Sequence, residues 1–268
     1  MKDTVIIKKC DRYDFKEIMQ KIEDGLSLIG GIDKFINKGE MVLLKVNSLS
    51  DSPPETAVNT HPEFLRAVIR IIKKKTDKIF VGDSPAPGNN FLSAAKRNGL
   101  LNIINKENVD LCEFKENIEI ESKTKIAYKK FKVDSLIKKV DKIINIPKFK
   151  THTLTYLTLC VKNMFGLIPG MRKPEYHLKA GRDKELFAKL LVDLYFSTIT
   201  PATSNLICEL NKLFSSKKIF TAFIIFFCLY KSTDSKGFNF EFFSLALTSM
   251  KTRVSPSFAI ISISPYFV

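Results

Sequence analysis

A chain of 268 residues with 45% hydrophobic and 26% charged side chains can bury a large core and is not intrinsically disordered, while its net charge of +15 predicts attraction to anions such as phosphorylated metabolites, nucleic acid or acidic protein surfaces. Five scattered cysteines, Cys10, Cys112, Cys160, Cys208 and Cys228, form no CxxC pair, which argues against a zinc site or a disulfide framework and for a reducing, cytoplasmic setting. The longest apolar run, Ile219 to Tyr230, falls short of the ~20 residues of a membrane-spanning helix and reads as buried or interfacial.

In chain order, Val5-Ile6-Ile7 reads as a first strand, because the charge that returns at Lys8-Lys9 is too early for a secretion signal. Met41 to Val46, Lys78 to Gly82 and Lys142 to Ile146 are three further short, apolar runs rich in β-branched residues, the pattern of strands covered on both faces. Between the first two of these, Thr60-His61-Pro62-Glu63 has the form of a capping box with Thr60 as the cap. Phe64, Leu65, Val68, Ile69, Ile71 and Ile72 continue at helical spacing, and Lys73-Lys74-Lys75 suits the C-terminal turn. Alternating strand and helix signals predict an α/β fold: an open, mostly parallel sheet with helices on both faces.

Each of the three strands runs into a polar loop, and ligands of open α/β sheets bind at the carboxyl ends of the strands. The loops are Asn47 to Pro54, Asp83 to Gly88 and Pro147 to His152, and in a parallel sheet they meet on one edge. In the third, Lys148, Lys150 and His152 precede a stripe of Leu154, Leu157, Val161, Phe165 and Ile168, which predicts a helix capped by Thr151 or Thr153 and stopped at Gly166. Free amides at a helix start bind anions, and residues 142 to 184 hold 9 Lys+Arg against 2 Asp+Glu, so a phosphate or carboxylate ligand follows. The competing reading is a solvated face on a lysine-rich protein.

Asp83, in a Gly-Asp-Ser-Pro turn, suits a metal ligand, a base or a loop cap. His152 beside two lysines suits donation to a ligand or proton shuttling near neutral pH. His61 reads as structural, His177 stays undecided, and Lys162 and Asn163, two turns into the predicted helix, need another loop opposite them to form a site. Cys160, between Leu159 and Val161, reads as core.

Composition changes near Tyr195. Residues 1–195 carry 36 Lys+Arg and 25 Asp+Glu, whereas residues 196–268 carry 7 and 3, with 12 of the 22 phenylalanines and Gly237 as their single glycine. The expectation is an α/β domain over 1–195 and a divergent Phe/Ser/Thr-rich tail over 196–268, truncated or poorly ordered, with strand-like patches at Phe238 to Phe242 and Ile260 to Ser264.

Asn59-Thr60-His61-Pro62-Glu63, Val81-Gly82-Asp83-Ser84-Pro85, Pro147 to His152, Val161-Lys162-Asn163-Met164-Phe165-Gly166 with Pro169-Gly170, Glu175-Tyr176-His177 and Leu191 to Tyr195 follow one another in an order that resembles the family called domain of unknown function 362. The resemblance spans about residues 40–195. The resemblance implies little about activity, since members are largely uncharacterised, and many carry a C-terminal ferredoxin-like module with 4Fe-4S clusters bound by CxxCxxCxxxCP runs. This chain has no such run, so no cluster is carried over and no cofactor is expected. The expected function is a small-molecule enzyme or a redox-coupled binding domain, partnered by a redox protein, for an anionic ligand. His152 and Asp83 are the candidate catalytic residues, and Lys148, Lys150, Thr151, Ser84, Lys162, Asn163 and His177 the candidate ligand contacts, with no metal. The alternatives are a non-catalytic nucleic-acid binder, disfavoured by the absence of tryptophan and of an RNA-module repeat, and an inactive remnant of an iron-sulfur protein.

Overall fold

The computed structural model describes residues 4–152, 155–170, 172–198, 203–204, 208–209 and 258–263. In chain order the elements are β1 (Thr4–Lys9), α1 (Phe15–Ser27), β2 (Val42–Lys45), α2 (Pro62–Ile72), β3 (Ile79–Asp83), α3 (Phe91–Arg97), α4 (Leu100–Lys106) and β4 (Asp110–Glu113). There follow β5 (Asn117–Glu121), β6 (Lys130–Asp134), α5 (Leu136–Lys139), β7 (Lys142–Asn145), β8 (Lys150–His152), β9 (Tyr156–Thr158), α6 (Cys160–Asn163), a 3-10 turn (Met164–Leu167), α7 (Arg172–Ala180), α8 (Lys184–Thr198), β10 (Thr203–Ser204), β11 (Cys208–Glu209) and β12 (Phe258–Ile263).

The central sheet runs β10-β7-β2-β3-β4 with every pair parallel. Side chains alternate across it, as the pleat requires. Val42, Leu44, Val81 and Ile144 enter one core with Ile22 of α1, Leu65 and Ile69 of α2 and Ile104 of α4. Leu43 and Ile143 enter another with Met164, Leu167 and Tyr195. Helices therefore cover both faces, as the apolar character of the strands demands. A third cluster joins Phe131 and Val133 of β6 to Tyr176 of α7 and Phe187, Leu190 and Leu194 of α8. Among the described residues no helix is long and apolar enough to cross a membrane.

The structure departs from the sequence reading in three places. Val5 to Ile7 do form a strand, but β1 pairs antiparallel with β12 in a separate sheet, and the outer parallel strand beside β3 is β4. The weak alternation near Ile260 thus has a partner that local pattern does not reveal; the Phe238 to Phe242 patch and the run from Ile219 lie outside the described residues. Second, α2 is capped by His61, whose ring accepts from Glu63 N, and not by Thr60. A residue before proline is driven to extended backbone, which sets the cap at His61, with φ −72° and ψ 137°. Thr60 instead accepts from Asn47 N at 2.9 Å and donates to Ile146 O at 3.1 Å, tying the ends of β2 and β7 together.

Third, no helix starts at Thr151: β8 and β9 form an antiparallel hairpin, with Thr151 opposite Leu157, and α6 begins only at Cys160. The threonines and Tyr156 of this stretch favour pleated backbone over helix, and that local preference overrides the apolar spacing. No helix start presents its free amides at Thr151, and the polar groups at this place are those of side chains.

Candidate functional site

Register alone brings the polar loops together. Lys45 pairs with Gly82 on one side and Asn145 on the other, so the ends of β2, β3 and β7 lie abreast and Asp83 follows one residue on. Lys45 and Asp83 are both buried, and Lys45 Nζ lies 2.6 Å from Asp83 Oδ1. The carboxylate also accepts from Ser84 N at 2.7 Å and Ser48 N at 2.6 Å, while Lys45 Nζ donates to Val46 O at 2.7 Å. Gly166 closes over this pair. A Cβ there would stand 2.6 Å from Lys45 Nζ and closer still to Asp83 Oδ1, so no larger residue fits without moving the ion pair.

An asparagine relay extends the floor. Asn163 Nδ2 donates to Asn145 Oδ1 at 2.8 Å and to the carbonyls of Lys45 and Val46, and Asn163 Oδ1 accepts from Asn47 Nδ2 at 2.9 Å. Asn47 Oδ1 in turn accepts from Lys150 Nζ at 2.7 Å, which also reaches Val58 O at 2.6 Å. From the opposite side, Lys173 in the first turn of α7 donates to Ser84 O and, at 2.9 Å, to Pro85 O. Lys162 on α6 lays its ammonium over the rings of Phe165 and Phe187, 4.6 and 5.6 Å from their centroids.

Lys45, Lys150, Lys162 and Lys173 therefore surround one carboxylate. Burial pushes all of them down and Asp83 pulls them back up, while repulsion from neighbouring lysines depresses Lys150, Lys162 and Lys173 further; Lys150 and Lys162 fall to about 8 and Lys173 to about 7. Buried cations are tolerated when paired, and here they outnumber their partner. His152 is lowered to about 4, first by burial, then by Lys162, His177 and Lys150. Its imidazole is uncharged near neutral pH, with Nδ1 accepting from Thr155 N at 3.3 Å. Burial, Lys162 and Lys173 lower His177 in the same way.

Of the residues singled out by sequence, Asp83, Ser84, Lys150, Lys162 and Asn163 meet in this cluster, and His152 and His177 border it through Lys162. Ser84 is a hub: it donates its amide to Asp83, gives its carbonyl to Lys173 and accepts from Gly170 N through Oγ at 3.1 Å. Lys148 has another engagement. It is fully buried and donates to Tyr13 OH at 2.9 Å, beside a Tyr13–His61 stack 3.6 Å apart, while its charge adds to the repulsion that lowers Lys150. The Thr151 side chain lies outside the described residues. Lys45, Lys173 and Asn145 were not singled out from the sequence, and Asn47 and Gly166 were read only as a loop start and a helix stop. Lys45 and Asn145 had a signal: each is a polar residue closing an otherwise apolar strand, where burial demands a partner.

Beside Ser84 and Gly170 opens a groove of about 440 Å³ lined by Phe114, Lys115, Asn117, Pro169, Gly170, Arg172 and Glu175. Among the described residues no group of three or more His, Cys, Asp or Glu is placed to hold a metal ion, and Cys10, Cys112 and Cys160 are unbridged thiols on separate parts of the fold.

Fold and site together define an open α/β protein with a lysine-rich polar cluster at the carboxyl edge of a parallel sheet. The chain belongs to the family described as Domain of unknown function (DUF362), whose model matches residues 42–221. It is 31% identical over 196 residues to the thylakoid-associated protein sll1697 of Synechocystis sp. (strain ATCC 27184 / PCC 6803 / Kazusa), a match covering 72% of this chain and 59% of that relative's length. A crystal structure of a Thermotoga maritima protein superposes with a TM-score of 0.49 at 14% identity, over 74% of this chain and 52% of the other.

Proposed function

We propose that the protein binds a small anionic molecule at the Asp83 cluster and acts on it there. The observation that supports this most is the imbalance of charge: Lys45, Lys150, Lys162 and Lys173 converge on Asp83 alone, at the sheet edge where α/β proteins take ligands. An incoming phosphate or carboxylate supplies the missing negative charge. It raises the lysines toward their ordinary values and so takes up protons as it binds. Asp83 acts in this reading as the fixed counter-ion that holds the lysines in place, since both its oxygens are engaged by Lys45, Ser48 and Ser84. His152, uncharged at neutral pH, serves as a hydrogen-bonding partner or a base.

Calorimetric titration of the full chain with inorganic phosphate at pH 7 tests the reading. Binding accompanied by proton uptake, weakened about tenfold or more by Lys150→Met together with Lys173→Met, is the expected result. A folded protein whose phosphate affinity is unchanged by that pair of substitutions would refute it.

A further inference from the structure

Building on the anion reading above, we propose that Lys162 is the reacting amine of the site and forms an imine with a small aldehyde or ketone that carries an acidic group. The unequal use of the lysines singles it out. Lys45 gives its Nζ to Asp83 Oδ1 and Val46 O, Lys150 to Asn47 Oδ1 and Val58 O, and Lys173 to Ser84 O and Pro85 O. Each is committed to protein oxygens.

Lys162 has no such acceptor among the described residues; its Nζ rests on the faces of Phe165 and Phe187, and the residue keeps partial exposure. An amine over aromatic rings and beside other cations is the environment that turns lysine into a nucleophile. With Lys162 lowered to about 8, about half of it is the neutral amine at pH 8, against roughly 0.4% of an ordinary lysine. His177 completes the arrangement. Its ring stacks on the same Phe187 at 4.5 Å and, among the described residues, its nitrogens make no hydrogen bond, so it stands by Lys162 as an uncharged imidazole able to relay protons.

The step balances without an oxidant or reductant. Neutral Nζ adds to the carbonyl carbon, forming the C–N bond as the C=O π pair moves to oxygen. That oxygen takes up two protons, both shed in turn by Nζ and relayed through His177 or water; the nitrogen lone pair then forms C=N as the C–O bond breaks and water leaves, giving the imine. The acidic group of the substrate is what Lys150 and Lys173 attract, and the carbonyl is what Lys162 attacks. A 2-oxo carboxylate and a phosphorylated ketone share this chemistry.

Incubating the full chain at pH 8 with sodium cyanoborohydride and either pyruvate or dihydroxyacetone phosphate, then mapping modified lysines by mass spectrometry, tests the proposal and separates the two sources. One arm is expected to modify Lys162 in about tenfold excess over the exposed lysines, with the adduct absent from Lys162→Arg. Adducts spread over surface lysines, or none on Lys162 in either arm, would overturn it. Phosphate titration of the same samples separates the two claims: phosphate binding without a Lys162 adduct sinks the imine alone, and loss of both sinks the anion reading with it.

Discussion

Two buried aspartates show how differently this fold treats a carboxylate. Asp193 on α8 accepts from the amides of Ile126, Ala127 and Tyr128 at 2.9, 2.7 and 2.8 Å and from the Thr124 hydroxyl, all in the loop between β5 and β6. It is a closed knot that pins a hairpin to a helix, with amide and hydroxyl dipoles and no cation. Asp83 accepts two amides and a lysine, and three more lysines crowd around that pair with their pKa values pushed down. A purely structural carboxylate needs only to be satisfied, as Asp193 is. Surplus buried positive charge weakens the empty protein and becomes useful only when an anion arrives.

The contrast can be broken experimentally. Asp83→Asn leaves Lys45 without its counter-ion and is expected to lower stability by about 3–5 kcal/mol in urea unfolding. Asp193→Asn, which forfeits charge-assisted hydrogen bonds but strands no cation, is expected to lose about 1–3 kcal/mol and to leave phosphate binding intact. If Asp193→Asn abolished phosphate binding while Asp83→Asn spared it, the division between anchor and site would be reversed. Gly166→Ala should cost about 1–3 kcal/mol by forcing a methyl into the ion pair, and wild-type stability in that variant would show the pair to be more adaptable than its spacing implies.

A subtler effect concerns pH. Below pH 7 these lysines are protonated in both folded and unfolded chains, and the folded state carries the whole burden of their repulsion. Above it, folded Lys173, Lys150 and Lys162 shed protons near 7, 8 and 8 while the unfolded chain keeps them to about 10.4, so their contribution to stability rises as pH climbs from 7 toward 9. Chemical unfolding over that window should show the rise, flattened in Lys173→Met. Phosphate affinity should fall over the same window, because the cations that attract it are being lost. A stability that declines from pH 7 to 9 in wild type and Lys173→Met alike would count against the cluster.

The strands and the meeting of their loops were readable from sequence because both follow from short-range chemistry: β-branched apolar runs of Val42 to Lys45 and Lys142 to Asn145, ended by polar turns. What local pattern missed depends on distant contacts. The partner of β1 lies some 250 residues away in β12, whereas the stripe from Leu154 gave way to the local β preference that forms the β8–β9 hairpin. The site was half visible. Asp83, Lys150 and Asn163 stood in recognisable motifs, whereas nothing local marks Lys173 and only the packing of α7 against the Asp83 loop gives it a buried place.

Carbon-13 labelling of the lysine ε-carbons, with each resonance assigned by substitution and followed by NMR from pH 6 to 11, measures the cationic surplus itself. Midpoints near 7 for Lys173 and near 8 for Lys150 and Lys162, shifting upward when phosphate is added, are the predicted result. Titration of all three at the ordinary value of about 10.4, indifferent to phosphate, would contradict the account at its root.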